Sequence, residues 1–325
     1  MKNKKFIITI LLLLSVELMA GQTIKSFNSD WKFKLHQQEG AQTPDFDDSD
    51  WESVIVPHDA SIGGKFDHDN STSANGWLPH QEGWYRKSFT IPATAKGKKM
   101  FIKFEGVYRD AKVWFNGEYL GRNLNGYLGF EYDLTPYVKF DEENVIAVHY
   151  DNTIKGTSRW YTGEGIYRDV WLKTVNPVYV PDMGIHITTP FITNELARVS
   201  IHTKIVNDTE EPGEIIIETE IVDPTGNTVT SKKAVVYLQY LKDYTFHQQL
   251  EVKNPALWDT KNPNLYHAKT TVYFNGEIQD KYLTRFGIRD IQLTADEGLL
   301  LNGKKVFAQG GNIHHDLGCV GAVAL

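Results

Sequence analysis

Short runs in which apolar and polar residues alternate, broken by Gly, Asn, Asp and Pro, fill the chain from residue 21 to about residue 286. Period-two alternation marks a strand with one buried face. Strands are predicted over residues 99–104, 113–115, 144–150 and 170–175, and again over 197–206, 214–222 and 266–274. Asn116-Gly117 and Asn275-Gly276 predict two-residue hairpin turns, where both central positions need positive φ. Asp223-Pro224-Thr225-Gly226-Asn227 predicts another turn. No stretch sustains a 3.6-residue period, so the complete part of the chain is all-β. A proline-flanked joint, Asn176-Pro177 to Pro181, divides it. Residues 21–176 read as a jelly-roll β-sandwich and residues 177–286 as an immunoglobulin-like β-sandwich, without the cysteine pair of antibody domains.

The two ends differ from this pattern. Residues 1–20 read as a signal peptide: Lys2, Lys4 and Lys5 precede an apolar run from Phe6 to Val16, and Leu18-Met19-Ala20 offers a cleavage end. That run is shorter than the roughly 20 residues a bilayer-spanning helix needs. Export to the periplasm or the medium is expected, with no membrane partner after cleavage. At the other end, residues 299–306 predict a hairpin. Val306 to Asp316 then predicts an apolar strand, followed by small apolar residues that suit a helix start. One strand cannot bury a core, so residues 287–325 read as the opening of a further domain.

Composition narrows the functions. The 325 residues carry a formal net charge of −7, which argues against a nucleic-acid partner. One cysteine, Cys319, excludes an intramolecular disulfide framework and a thiolate zinc cluster; a buried, inert thiol is expected. Asp67-His68-Asp69-Asn70 has oxygen ligands without the spacing of a calcium loop and reads as a solvated turn. No metal site or cofactor motif is evident.

Four segments resemble glycoside hydrolase family 2, which includes β-galactosidases, β-glucuronidases and β-mannosidases. They are Pro57-His58-Asp59 through Gly83-Trp84-Tyr85-Arg86-Lys87-Ser88-Phe89, then Ser158-Arg159-Trp160-Tyr161-Thr162-Gly163-Glu164-Gly165-Ile166-Tyr167-Arg168-Asp169-Val170-Trp171-Leu172, then Phe286-Gly287-Ile288-Arg289, and finally Gly310-Gly311-Asn312-Ile313-His314-His315-Asp316. The resemblance implies a sugar-binding jelly roll, an immunoglobulin-like domain, and the first strand of an incomplete (β/α)8 barrel. His314-His315-Asp316-Leu317-Gly318 most resembles the β-galactosidase-type members. The implied chemistry is retaining hydrolysis of a β-linked oligosaccharide or glycoside by two glutamates about 5 Å apart. Those glutamates lie beyond this sequence, so no catalytic residue is assigned here; Glu82, Glu164 and Asp316 do not match them, and the chain by itself is expected to be inactive. Magnesium or sodium in the full enzyme cannot be placed on any residue here.

The resemblance implies sugar contacts at His314, at the end of the barrel strand, and at Asp151, which reaches from the first sandwich toward the reacting ring. An imidazole donates or accepts a hydrogen bond, and a carboxylate accepts from two neighbouring hydroxyls. Asp151 also suits a turn that caps its own backbone. Asn152 is a further candidate, and Trp160 offers an aromatic face for a sugar or for the core. Arg168 and Asp169 are expected to pair with each other and hold their loop. His315 and Asp316 point to opposite faces of a strand, which disfavours joint metal ligation. A stand-alone carbohydrate-binding protein, or a scaffold, is the competing reading; an exposed, unpaired barrel strand has no use in either.

Overall fold

The structure, a computed structural model, describes residues 21–69, 71–154, 160–312 and 318–323. The first unit contains β1 (Thr23–Ser26), β2 (Trp31–Leu35), β3 (Glu52–Val54), β4 (Glu82–Thr90), β5 (Lys99–Phe104), β6 (Ala111–Phe115), β7 (Glu118–Asn123), β8 (Phe130–Asp133), β9 (Glu143–Asp151) and β10 (Val170–Val175). They form two antiparallel sheets, in the orders β3-β2-β4-β9-β6-β7 and β1-β10-β5-β8. Between them lies a core that includes Trp31, Tyr85, Phe104, Phe115, Ile146 and Tyr150. In β6, Ala111, Val113 and Phe115 point inward and the residues between them are partly exposed, as alternation predicts. β9 breaks the rule, because Asn144 to Tyr150 are buried on both faces. A loop carrying Ala41, Phe46 and Trp51 covers Trp84 and Ala147 on its outer side. The buried Arg86 of β4 holds that loop, donating to Asp48 Oδ2 at 2.7 Å and to the carbonyls of Ala41 and Thr43.

The second unit contains β11 (Val178–Tyr179), β12 (Ile185–Ile192), β13 (Leu196–Asn207), β14 (Gly213–Val222), β15 (Thr228–Leu238), β16 (Lys242–Lys253), β17 (Tyr266–Phe274) and β18 (Glu277–Phe286). One sheet joins β11, β12 and β16 to β13, and the other runs β15-β14-β17-β18. Alternation is regular in β13, whose Ala197, Val199, Ile201 and Ile205 are fully buried. Two satisfied polar side chains interrupt the apolar layer: Thr219 Oγ1 donates to Gln248 Oε1 at 2.7 Å. The units meet through Phe101, Val175 and Tyr179. Lys103 pairs across the joint with Asp182 at 2.9 Å.

Both predicted Asn-Gly hairpins form. Asn116 and Gly117 have φ 51° and 87°, and Asn275 and Gly276 have φ 49° and 85°. β19 (Ile291–Thr294), β20 (Gly298–Leu301) and β21 (Lys304–Lys305) make a small antiparallel sheet, which contains the expected hairpin. The expected barrel strand is not seen among the described residues. Residues 306–312 have no strand pairing and Phe307 is exposed; residues 313–317 lie outside the described set. A barrel strand needs a neighbour on each edge to take its backbone donors and acceptors, and no described strand flanks this one. The helix start reduces to one 3-10 turn, Gly318–Val320. Cys319 is exposed rather than buried: the turn buries Ala322 and Val323, and Cys319 lines an open hollow with His58 and Ile62.

Candidate functional site

The site begins where β4 and β9 pair. Asp151, last in β9, sits opposite Glu82, first in β4, and Trp84 sits opposite His149. Directly opposed residues project to one face. His149 Nε2 lies 3.1 Å from Glu82 Oε2. Burial lowers the His149 pKa, and Glu82 opposes that shift. Asp151 Oδ1 accepts from Thr153 N at 2.9 Å and from Thr153 Oγ1 at 2.7 Å. The carboxylate therefore does cap its own turn. Among the described residues no donor reaches its second oxygen, which leaves that atom able to accept from an incoming hydroxyl.

Asn152 turns the opposite way, as strand alternation requires, and is fully buried. Its Nδ2 donates to Glu164 Oε2 at 3.1 Å and approaches His80 Nδ1 at 3.2 Å. Its Oδ1 is buried without a partner. Glu164 also accepts from Gln81 N at 3.0 Å. Burial pushes the Glu164 carboxyl up to about 7, against the donors Gln81 and Asn152. Asp59 is the hub beneath. It accepts from Tyr161 Oη at 2.6 Å, Ala322 N at 2.8 Å, Ser61 N at 3.0 Å and Glu164 N at 3.3 Å. Burial raises the Tyr161 pKa, and the Asp59 charge raises it further. Two glycines make this approach possible. Gly163 and Gly321 both have φ +63°, and a Cβ on either would fall 2.7 Å or 2.1 Å from Asp59 Oδ2.

Trp160 is half-buried, and its Nε1 donates to Tyr127 Oη at 3.2 Å. Tyr127 packs edge-on against Tyr108 at 5.3 Å. The next residue, Arg109, accepts the Asp151 backbone N–H at 2.9 Å. The 108–109 segment thus links the Trp160 aromatics to the Asp151 turn. An open depression of about 790 Å³ beside that turn is lined by His36, His80, Gln81, Glu82 and Thr153, among others. A second hollow, about 410 Å³, lies between the sandwiches. Its polar groups are largely engaged with each other, as in Lys103–Asp182 and Trp171 Nε1 to Glu105 Oε1 at 2.8 Å.

Of the residues the sequence singled out, Asp151 and Asn152 fall at one strand end and Trp160 joins them through Tyr108 and Arg109. His314 lies outside the described residues, as do His315 and Asp316. Arg168 and Asp169 do not pair with each other. Asp169 accepts from Asn28 Nδ2 at 2.7 Å, and Arg168 lies over the Tyr167 ring at 5.4 Å. Consecutive residues entering a strand diverge, so each finds a partner on its own side. In the Asp67 turn, Asp67 Oδ1 accepts from Asp69 N and His68 stacks on Trp77 at 4.8 Å; Asn70 lies outside the described residues. The sequence presents Glu82 and Glu164 only as candidate catalytic glutamates, and gives no site role to Asp59 or His149. The signal for Glu164 was its position between two glycines, which marks close packing on both sides.

Two profiles of one family match the chain in order. "Glycosyl hydrolases family 2, sugar binding domain" covers residues 24–176, and "Glycosyl hydrolases family 2" covers residues 178–289. The chain is 40% identical over 309 residues to a β-galactosidase of Bacteroides ovatus, BoGH2A, spanning 95% of this chain and 36% of that protein. It is 31% identical over 311 residues to a β-glucuronidase of Formosa agariphila, spanning 89% of this chain and 32% of that protein. A crystal structure of a glycosyl hydrolase family 2 member from Bacteroides cellulosilyticus superposes with TM-score 0.85 at 37% identity, covering 93% of this chain and 41% of that one. The chain thus spans about a third of the length of these curated relatives.

Proposed function

The chain belongs to glycosyl hydrolase family 2, and on that premise we propose that it is the sugar-binding and immunoglobulin-like part of a β-galactosidase-type glycosidase. The observation that carries this reading is the in-order match of both family profiles to the two sandwiches, together with the 40% identity to a β-galactosidase. The substrate is a β-linked glycoside. Asp151 accepts hydrogen bonds from its hydroxyls with the oxygen its turn leaves open, and Trp160 offers an aromatic face nearby; Asn152, fully buried and bonded to Glu164, supports the turn from beneath rather than touching the sugar. His314 would contribute from the segment that follows the small sheet.

Chemistry is expected of the complete protein rather than of these residues alone. Retaining hydrolysis needs one carboxyl free to give a proton and one free to attack, about 5 Å apart. The carboxylates near the Asp151 turn are otherwise engaged: Asp59 by four donors, Glu164 by Gln81 and Asn152, and Glu82 by His149. The relatives also include β-glucuronidases, which makes a β-glucuronide the second reading. Aryl β-galactosides and aryl β-glucuronides offered to the complete gene product separate the two. Turnover of the galactoside supports the first reading, turnover of the glucuronide alone replaces it with the second, and turnover of neither removes both. The 325-residue chain should show no turnover of either above the buffer rate. Export follows from the basic head and apolar run of residues 1–20, and an exported protein beginning near Gly21 is the expected result of N-terminal sequencing.

A further inference from the structure

His186, His202 and His247 stand in one row across three neighbouring strands of the second sandwich. His186 is the register partner of His202, and His202 is the register partner of His247. Opposed residues share a face, and this face is turned to solvent: His186 and His247 are exposed and His202 is half-buried. The ring centroids of His202 and His247 are 4.4 Å apart, and those of His186 and His202 are 6.3 Å apart. The rows on either side are uncharged apart from Lys204, whose ammonium is paired with Asp243. Ser200, Gln249 and Thr188 form one of these rows. The hydroxyl of Ser200 lies 3.5 Å from His202 Nε2.

Imidazoles packed edge to face on a wet surface add nothing to the core below. What they share is ring-nitrogen donors of the kind that ligate metal ions. Two such donors on one tetrahedral cation, each about 2.0–2.1 Å from it, lie roughly 3.3 Å apart. Rings with centroids 4.4 Å apart reach that separation by rotation about their own side-chain bonds. Among the described residues no three potential ligands already converge on a point, so the cation itself would draw the rings together. His202 and His247 form the first chelate, His186 is the third arm, and water completes the shell. A site made of imidazole with no carboxylate suits zinc, copper or nickel and not magnesium or calcium.

We propose that this histidine row binds one divalent first-row transition cation. The site is independent of the sugar site, since it lies on the other sandwich and uses none of its residues.

The test is calorimetric titration of NiCl2 and ZnCl2 into the tag-free 325-residue chain, with MgCl2 as comparison. The expected result is one saturable site for nickel and zinc and none for magnesium. Paired substitution of His202→Gln and His247→Gln should weaken binding by at least roughly tenfold, the order seen when a metal site loses even its supporting contacts. His186→Gln should weaken it less, and His68→Gln, on the first sandwich, should leave it unchanged. Because the row faces solvent, metal-free thermal unfolding of the variants should match that of the native chain, which separates lost binding from lost folding. No saturable binding, equal binding of magnesium, or full binding by the paired variant would overturn the proposal.

Discussion

Both units are antiparallel sandwiches of two sheets, one of six and four strands and the other of four and four, yet they spend their interiors differently. The first buries Asp59, Arg86, Lys87, His149, Glu164 and Lys173; among described residues of the second, the buried charged side chain is Asp280. Its other buried polar groups, such as Thr219, Gln248 and Thr270, are neutral. Buried charge requires partners and close glycines, and it stabilises little by itself. Three of these groups, Asp59, His149 and Glu164, gather at the Asp151 end of the first sandwich, where they hold a polar end that has no counterpart among the described residues of the second unit. The second sandwich packs a mostly neutral interior.

The comparison can be broken most directly at Arg86. Arg86→Ala strands the carbonyls of Ala41 and Thr43 and leaves Asp48 without its partner. A loss of about 3–5 kcal/mol is expected. Hydrogen exchange should show it in amides of β2, β4 and β9 and not in those of β13 and β14. Ile217→Ala, in the fully buried layer of β14, should do the reverse: about 3 kcal/mol lost through a cavity, with protection falling only in the second sandwich. Equal losses in both units from either variant would show that the sandwiches do not differ in this way.

The pH dependence gives a smaller effect. Glu164 is buried and holds its proton up to about pH 7, against an ordinary glutamate value of 4.5. From about pH 4.5 to 7 the unfolded chain therefore releases a proton that the folded chain keeps. Stability contributed by this residue is full below 4.5 and falls as pH rises to about 7, by on the order of 3 kcal/mol. Burial acts in the other direction on His58 and His149, whose lowered values remove stability as pH falls. Urea unfolding at pH 5 and pH 7 should show Glu164→Gln gaining relative to the native chain as pH rises. An unchanged difference between the two would contradict the assignment.

Much of this fold was legible because local chemistry and tertiary context agree. The Asn-Gly turns need positive φ and have it, and β13 alternates as a half-buried strand should. β16 was missed because buried Gln248 interrupts its apolar positions; its partner Thr219 is distant in sequence, so nothing local announces that the amide is satisfied. The continuous burial of β9 was equally out of reach, since the loop that covers it is ordered by Arg86 from another strand. At the site, Asp151, Asn152 and Trp160 were visible through motif resemblance. Asp59 and Glu164 lie in the resembling segments too, but their roles were not legible there, because those depend on residues up to 263 positions apart, as between Asp59 and Ala322. The Arg168–Asp169 pair failed for the simple reason that neighbours in an extended chain face apart.

Asp151 brings the smallest structural effect and the largest functional one. Its carboxylate caps one exposed turn, so Asp151→Ala should change stability by less than about 1 kcal/mol. The most direct test of the account is kcat/KM of the complete gene product on an aryl β-galactoside, native against Asp151→Ala, with unfolding measured alongside. The account predicts a value reduced to about one tenth or less, at least ~1.4 kcal/mol of lost transition-state binding, with the unfolding midpoint nearly unchanged. An equal kcat/KM in a folded variant would contradict it.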